Sequence, residues 1–213
     1  MATRKQTAAA DTGIDDKVVD AALALAAERN WTEISLQEIA GRAEVPLADL
    51  LRRFGGKGAI LRAFGRRVDA RVLNEALDLD EPVRDRLFDL LMRRFEALQP
   101  HRRAVANILH DMAREPLSLF LRLPQLGRSM AWTLEAAGVS SDGWRGRARV
   151  RGLALIYLSA LRVWLRDESE DLSATMAAVD KGLRRADQVL GLCRRLPRPR
   201  RTFGQDEGMA AAG

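Results

Sequence analysis

The stretch SLQEIAGRAEVPLADLLRRFGG, residues 35 to 56, contains the two short helices and the turn that decide the fold. Ser35 and Glu38 form a capping box, because the serine side chain can accept from the third backbone N–H of a helix while the glutamate reaches back. Val45-Pro46 marks a turn, since proline suits the first position of a following helix. Gly55-Gly56 ends that second helix, whose apolar face is Leu47, Leu50 and Leu51. The stretch therefore predicts a helix-turn-helix unit.

The same helical periodicity covers most of the chain. Apolar residues recur at three and four positions, and few segments alternate as strands do. We predict an all-α protein of about nine helices, counting the two above and seven more. The seven run over 15–29, 57–77, 82–98, 101–114, 116–137 (with a possible break at Leu123-Pro124), 144–166 and 170–195.

Composition excludes several classes of protein. No run of apolar residues is long enough to cross a membrane, and a single cysteine, Cys193, rules out an internal disulfide framework. The start of the chain lacks the apolar region of a secretory signal, so we expect a cytoplasmic protein. Neither His101 nor His110 has the spacing of a metal site, and no nucleophile and base are grouped. We predict no enzymatic activity, no metal and no cofactor.

The last two predicted helices carry continuous apolar seams. Val150, Leu153, Tyr157, Ala160 and Trp164 follow steps of three and four, and so does the series from Leu172 to Cys193. One reading is a homodimer in which two helices from each chain pack together. The residues of that interface would be Val150, Tyr157, Trp164, Met176, Val179, Leu183 and Leu190. The other reading is that both sides of these helices belong to the core of one chain.

The order of short helices between residues 14 and 61 resembles the N-terminal domain of TetR-family regulators. The residues that carry the resemblance are Ile14 through Ala27, Trp31, Ser35-Leu36-Gln37-Glu38-Ile39-Ala40, Ala43, Val45, Leu50, Phe54, Lys57 and Ala59-Ile60-Leu61. The resemblance implies an all-helical protein that forms a homodimer through its last two helices. It further implies binding to double-stranded DNA at a palindromic operator, and repression that is relieved by a small apolar ligand.

Four regions follow from this interpretation. Residues 1–13 would be a disordered basic tail, residues 14–62 the helix-turn-helix DNA-binding domain, residues 63–195 the helical ligand-binding and dimerisation domain, and residues 196–213 a disordered tail with a basic run. The formal net charge is +6, and most of it lies in the two tails. A basic tail can contact nucleic acid or an anionic membrane, or it can simply be a solvated end.

The candidate DNA-binding residues lie in and just after the two short helices. They are Ser35, Gln37, Pro46, Leu47, Ala48, Asp49, Arg52, Arg53 and Lys57, with Arg53 and Lys57 expected at phosphates and the central ones at bases. Several positions depart from what TetR-like sequences usually have. Glu44 stands where glycine is usual, Leu51 where tyrosine is frequent, and Asp49 brings a negative charge to a helix that should approach a polyanion.

A second resemblance supplies an alternative function. Residues 86–102, RLFDLLMRRFEALQPHR, are similar to a segment of the ubiquinone-biosynthesis lipid-binding proteins that share the TetR fold. Those proteins lack a working DNA-reading helix, bind a lipid in the C-terminal cavity and contact a membrane peripherally. Under either function, the candidate ligand-pocket residues are Met112, Met130, Trp132, Tyr157 and Trp164, which at helical spacing can equally be plain core.

Overall fold

The computed structural model describes the backbone of residues 2–114 and 123–195, and the side chains of residues 13–114 and 124–188. These residues form nine α-helices, two single turns of 3-10 helix and no strand, which confirms the prediction of an all-α protein. The helices are α1 Ala2–Glu28, α2 Leu36–Arg42, α3 Leu47–Arg53, α4 Lys57–Leu73, α5 Val83–Leu98, α6 Arg102–Arg114, α7 Leu123–Ala136, α8 Gly143–Trp164 and α9 Ser173–Arg195. The 3-10 turns are η1, Trp31–Glu33, and η2, Gln99–His101.

The structure describes the predicted N-terminal tail but not the predicted C-terminal one. Helix α1 begins at Ala2, so residues 2–13, which we expected to be a tail, are helical and the predicted start at residue 15 is too late. The predicted tail after residue 195 lies outside the described residues, as does the 116–122 part of the helix expected over 116–137.

Helix α2 packs on α1 and helix α3 packs on α2, and the three helices share apolar core residues. Leu50 and Ile39 are completely buried there, together with Phe54, Trp31 and Ile34. Leu50 and Phe54 lie four positions apart, so both point from α3 into this core. An ion pair between Arg29 Nη2 and Glu38 Oε1, at 2.6 Å, adds a contact between the end of α1 and the start of α2. The helix-turn-helix is therefore held on α1 as one packed unit.

Aromatic side chains make the centre of the C-terminal region. The Phe95 ring of α5 stacks on Tyr157 of α8 with centroids 5.4 Å apart, and it lies 6.0 Å from the ring of Trp164. The Trp164 indole donates a hydrogen bond to the side-chain oxygen of Gln99 at 2.8 Å, so its polar edge is satisfied in the interior. Helix α5 thus packs against α8 through buried aromatic side chains.

The apolar seams of α8 and α9 face the core of their own chain. Tyr157, Trp164, Val179 and Leu183 are all buried within one chain, although we predicted them at a dimer interface. In the structure these four side chains pack within their own chain, so they expose little surface to a second copy. Val150 and Met176 are half-buried, and the side chain of Leu190 lies outside the described residues. The seams thus pack within the chain, while Leu155 on the other side of α8 is 69% exposed.

A buried aspartate closes the turn between α8 and α9. The Asp167 carboxylate accepts hydrogen bonds from the Thr175 backbone N–H at 2.8 Å and from its hydroxyl at 2.6 Å. Its other oxygen accepts from the backbone N–H and the hydroxyl of Ser169. Burial opposes ionisation, but the bonds from Ser169 and Thr175 outweigh it and lower the pKa of Asp167 to about 2. The charged carboxylate therefore stabilises the start of α9.

Of the helices in the described ranges, none combines the length and the apolar character that crossing a membrane requires.

Candidate nucleic-acid interface

The capping box predicted at the start of α2 is present. The Glu38 backbone N–H donates to Ser35 Oγ at 3.2 Å, and the Ser35 backbone N–H donates to Glu38 Oε2 at 2.8 Å. The Ser35 N–H, followed by the Arg29 guanidinium, lowers the pKa of Glu38 to about 2. The Ser35 hydroxyl also donates to Glu38 Oε2 at 2.8 Å. Ser35 therefore caps the start of α2. It is also solvent-exposed, as a residue that contacts DNA has to be.

The turn between α2 and α3 contains a strained residue. Glu44 has a φ of +55°, in the left-handed region that glycine tolerates best. Its backbone N–H donates to the Gly41 carbonyl at 3.2 Å, and the next N–H, of Val45, donates to the Ala40 carbonyl at 3.0 Å. These two bonds close the end of α2, so the turn keeps a shape that suits glycine although glutamate occupies the position.

Helix α3 presents one face to solvent and the opposite face to the core. The exposed residues on one side of the helix are Ala48, Leu51 and Arg52, which are spaced three and four positions from Ala48. The side chain of Leu51 is 49% accessible to solvent. Leu47 is half-buried on the inner side. Gln37 at the start of α2 and Pro46 before α3 are exposed as well. An exposed helix face of this kind, following a helix and a tight turn, is the arrangement of a recognition helix.

The two charged residues of the exposed α3 surface are paired with each other. The Arg52 guanidinium donates to the Asp49 carboxylate one helical turn earlier, and the Arg52 side chain is mostly exposed. The negative charge of Asp49 is thus compensated within α3 when no ligand is bound. Release of Arg52 toward a base or a phosphate would leave Asp49 exposed to the same ligand.

Arg53 and Lys57, which we expected at phosphates, make contacts inside the fold. Arg53 Nη1 donates to Asp15 of α1 at 3.2 Å. Lys57 Nζ donates to the backbone carbonyls of Trp31 at 2.8 Å, Thr32 at 3.2 Å and Ile34 at 2.8 Å. Three such bonds match the three donors of an ammonium group. Lys57 therefore joins the start of α4 to η1, the turn that precedes the helix-turn-helix.

A contact that sequence reasoning missed joins η1 to the C-terminal region. Asp111 of α6 is buried, and its Oδ2 accepts from the Thr32 backbone N–H at 3.0 Å and from the Thr32 hydroxyl at 3.3 Å. The Thr32 N–H is the main cause that lowers the pKa of Asp111, although burial opposes it. Nearby, the Asn107 side chain donates to the Ala26 carbonyl of α1 at 2.9 Å. Both pairs are far apart in sequence, so no local pattern could have indicated them.

The candidate ligand-pocket residues lie mostly in the packed interior of the described part of the chain. Met112, Met130, Tyr157 and Trp164 are buried, and Tyr157 and Trp164 belong to the aromatic cluster on Phe95. Trp132 is 42% exposed on α7. Two surface grooves, of about 360 and 350 Å³, contain none of these five residues. The aromatic pair therefore serves as packed core in this conformation.

A buried ion pair lies beside that aromatic cluster. Arg94 of α5 donates to the Asp69 carboxylate of α4, which also accepts from the Ser129 hydroxyl of α7. The Arg94 guanidinium carbon lies 5.7 Å from the centre of the Tyr157 ring, and burial raises the pKa of Tyr157. The pair connects three helices and holds the C-terminal region to α4.

The comparisons with known proteins agree with this geometry. Residues 18–64 match the family model described as bacterial regulatory proteins, tetR family. The fold is similar to that of a TetR transcriptional regulator from Nitrosomonas europaea ATCC 19718, with a TM-score of 0.68 and 28% identity over 82% of this chain and 98% of that one. No curated protein matches the chain in sequence.

Two further structures show the same fold at lower identity. One is a TetR transcriptional regulator from Rhodococcus sp. RHA1, with 18% identity, a TM-score of 0.58, and coverage of 81% of this chain and 97% of that one. The other is a TetR-family regulator from Streptomyces coelicolor, with 19% identity, a TM-score of 0.54, and coverage of 85% and 89%. The resemblance seen in the sequence is confirmed: residues 18–64 match the tetR family model, and the fold is similar to that of TetR transcriptional regulators. The comparisons do not favour the lipid-binding alternative.

Proposed function

We propose that this protein is a DNA-binding transcriptional regulator that inserts α3 into the major groove. The observation that carries the proposal is the exposed face of α3, with Ala48, Leu51 and Arg52 turned away from a core that holds Leu50 and Phe54. A helix held rigidly on one side and exposed on the other can approach base edges without unfolding. The similar proteins described as transcriptional regulators support the same function.

The exposed residues suggest a division of tasks at the DNA. Gln37, Ala48 and Arg52 would approach bases, since amide and guanidinium groups read adenine and guanine edges and a methyl group contacts thymine. Asp49 would either accept from a cytosine amine or weaken binding by repulsion. Lys57 and Arg53 would act by holding η1 and α1 in place, given their contacts with Trp31 and Asp15.

Two finer parts of the proposal concern assembly and control. We propose a homodimer formed by the outer faces of α8 and α9, where Leu155 is 69% exposed, because a two-fold dimer places two α3 helices on a palindromic site. We further propose that the protein represses transcription and that a small ligand releases it. The contacts from α6 to η1 and to α1 support this, since a shift of α6 would move the helix-turn-helix.

The test is a selection of fragments bound from the parent genome, followed by fluorescence anisotropy with the enriched duplex and a scrambled one at two salt concentrations. We expect an enriched palindrome, preferential binding to it, and affinity that falls as salt rises. Equal, weak binding to both duplexes at low salt would overturn the proposal.

A further inference from the structure

A groove of about 350 Å³ lies between the N-terminal helices and the C-terminal region. Its lining includes Asp20 of α1, residues of α4, Ala97 of α5 and His101 of η2. It contains none of the predicted pocket residues and none of the exposed α3 face. A molecule bound here would touch the helices on both sides of the junction that positions the helix-turn-helix.

Basic side chains are crowded along one side of this groove. Arg67 and Arg71 are four positions apart on α4, so they lie on one face of the helix, and His101 lines the same groove. Burial lowers the pKa of His101, and the charges of Arg67 and Arg71 lower it further, against the opposing effect of Asp20. Cationic groups placed side by side repel one another, so the arrangement favours an anion in the groove.

Within the described residues, these arginines leave much of their hydrogen-bonding capacity unused. The ion pairs of Arg67 within the described residues all use Nη1, at 2.7 Å from Asp20 Oδ1 and 3.7 Å from Asp16 Oδ1. Both aspartates are largely exposed to solvent, which weakens their hold. Arg71 is exposed and makes no ion pair in the described part of the chain. A guanidinium fork has room for a carboxylate at such a position.

The rest of the groove is apolar. Phe64, Val68 and Ala97 line it with their nearly buried side chains. The Phe64 ring meets the His101 ring edge-on with centroids 5.4 Å apart, and the Arg67 guanidinium carbon lies 5.8 Å from the Phe64 ring centre. An apolar wall next to a basic edge matches a molecule that has a small apolar body and one negative charge.

We propose that this groove binds a small monocarboxylate with an aromatic or short aliphatic body. Its carboxylate accepts from Arg71 and Arg67, and its apolar part lies against Phe64 and Val68. Inorganic phosphate has the charge but not the apolar body, so it binds more weakly. Protonation of His101 adds a third positive charge, so binding tightens as pH falls through the lowered pKa of His101.

The bound carboxylate competes with Asp20 for Arg67. That competition weakens the ion pair between α1 and α4, and α1 carries the core on which α2 and α3 pack. An effect of the ligand on DNA affinity rests on the function proposed above, whereas binding in the groove does not. The two can therefore fail separately.

Benzoate, benzamide and inorganic phosphate are the probes, and the imidazole NMR signals of the two histidines are the readout. His101 lines the groove, while His110 is exposed on α6 and is a reference within the same chain. We expect benzoate to shift the His101 signals in a saturable way at millimolar concentration, with a smaller effect of benzamide and phosphate and none on His110. We expect Arg71→Gln to weaken benzoate binding about two- to fivefold, since it removes one ion pair that solvent weakens.

Arg66→Gln is the matched control, because Arg66 is an exposed arginine of α4 outside the groove. It should leave benzoate binding unchanged. Equal binding of benzoate and benzamide, equal weakening by Arg66→Gln and Arg71→Gln, or the absence of any shift at His101 would each overturn the proposal. Binding of phosphate as tight as that of benzoate would also overturn it, because the apolar wall would then contribute nothing.

Discussion

The Asp111 carboxylate of α6 accepts a hydrogen bond from the Thr32 backbone N–H at 3.0 Å, across 79 positions of sequence. Through this contact the C-terminal region holds η1, the turn that leads into the helix-turn-helix. On its other side, Lys57 donates to the Trp31 and Ile34 carbonyls of the same segment. The carboxylate of Asp111 from α6 and the ammonium group of Lys57 from α4 therefore both stabilise the conformation of this short turn.

We expect Asp111→Ala to lower the free energy of unfolding by about 1 to 3 kcal/mol, because it leaves the Thr32 N–H without its partner. Urea unfolding measures the loss, and hydrogen exchange of the Thr32 amide should speed up. His110→Ala is the control, since the neighbouring side chain is exposed. Unchanged exchange at Thr32 would show that this contact does not stabilise the turn.

Asp49→Ala should raise affinity for unrelated DNA, because it removes a negative charge from α3 and releases Arg52 from its internal partner. Fluorescence anisotropy with a scrambled duplex at low salt measures the change. Arg52→Ala should have the opposite effect and weaken binding to every duplex. If both variants bind like the wild type, the α3 surface does not face DNA.

Glu44→Gly should stabilise the fold by about 1 kcal/mol, since glycine adopts a positive φ without the steric penalty of a side chain. Thermal or urea unfolding measures the gain. Glu44→Ala separates the two possible causes, because it removes the charge but retains the backbone strain. A comparable gain from alanine would assign the effect to charge rather than to conformation.

The Asp167 carboxylate should make stability depend on acid pH. Its pKa in the folded protein is lowered to about 2 from an ordinary value of 3.8, so its contribution is present above pH 4 and is lost as pH falls toward 2. We expect Asp167→Ala to cost about 2 kcal/mol at neutral pH, and the difference from wild type to narrow in urea unfolding as pH falls from about 4 to 3. A difference that stays constant over this range would contradict an ionised Asp167 carboxylate in the folded protein.

Leu155→Lys should weaken a dimer formed by the outer faces of α8 and α9, since each buried leucine contributes about 1.5 to 3 kcal/mol to such an interface. Sedimentation at micromolar concentration measures the change. Leu79→Lys is the control, because Leu79 is similarly exposed, at 65%, but lies in the loop before α5. A wild-type chain that sediments as a monomer would contradict the proposed dimer. Leu183 is unsuitable for this test, since it is buried in its own chain.

The sequence alone determined the features that depend on local spacing. The capping box of Ser35 and Glu38, the turn at Pro46 and the apolar face of α3 all arise from residues within one or two helical turns of each other. Short-range hydrogen bonding and helical periodicity specify such elements without knowledge of the rest of the chain. For the same reason the sequence was sufficient for the all-α class and for the resemblance to TetR-family regulators.

Only the tertiary structure decided what each helix face meets. Periodicity placed Tyr157 and Trp164 on one seam, but the neighbour of that seam proved to be α5 of the same chain rather than a second copy. Likewise, the charge of Lys57 predicted a phosphate contact, whereas only the structure showed that Lys57 meets the backbone carbonyls of Trp31, Thr32 and Ile34 within the chain. A pattern in one helix shows which side chains share a face, whereas the partner of that face depends on packing between residues distant in sequence.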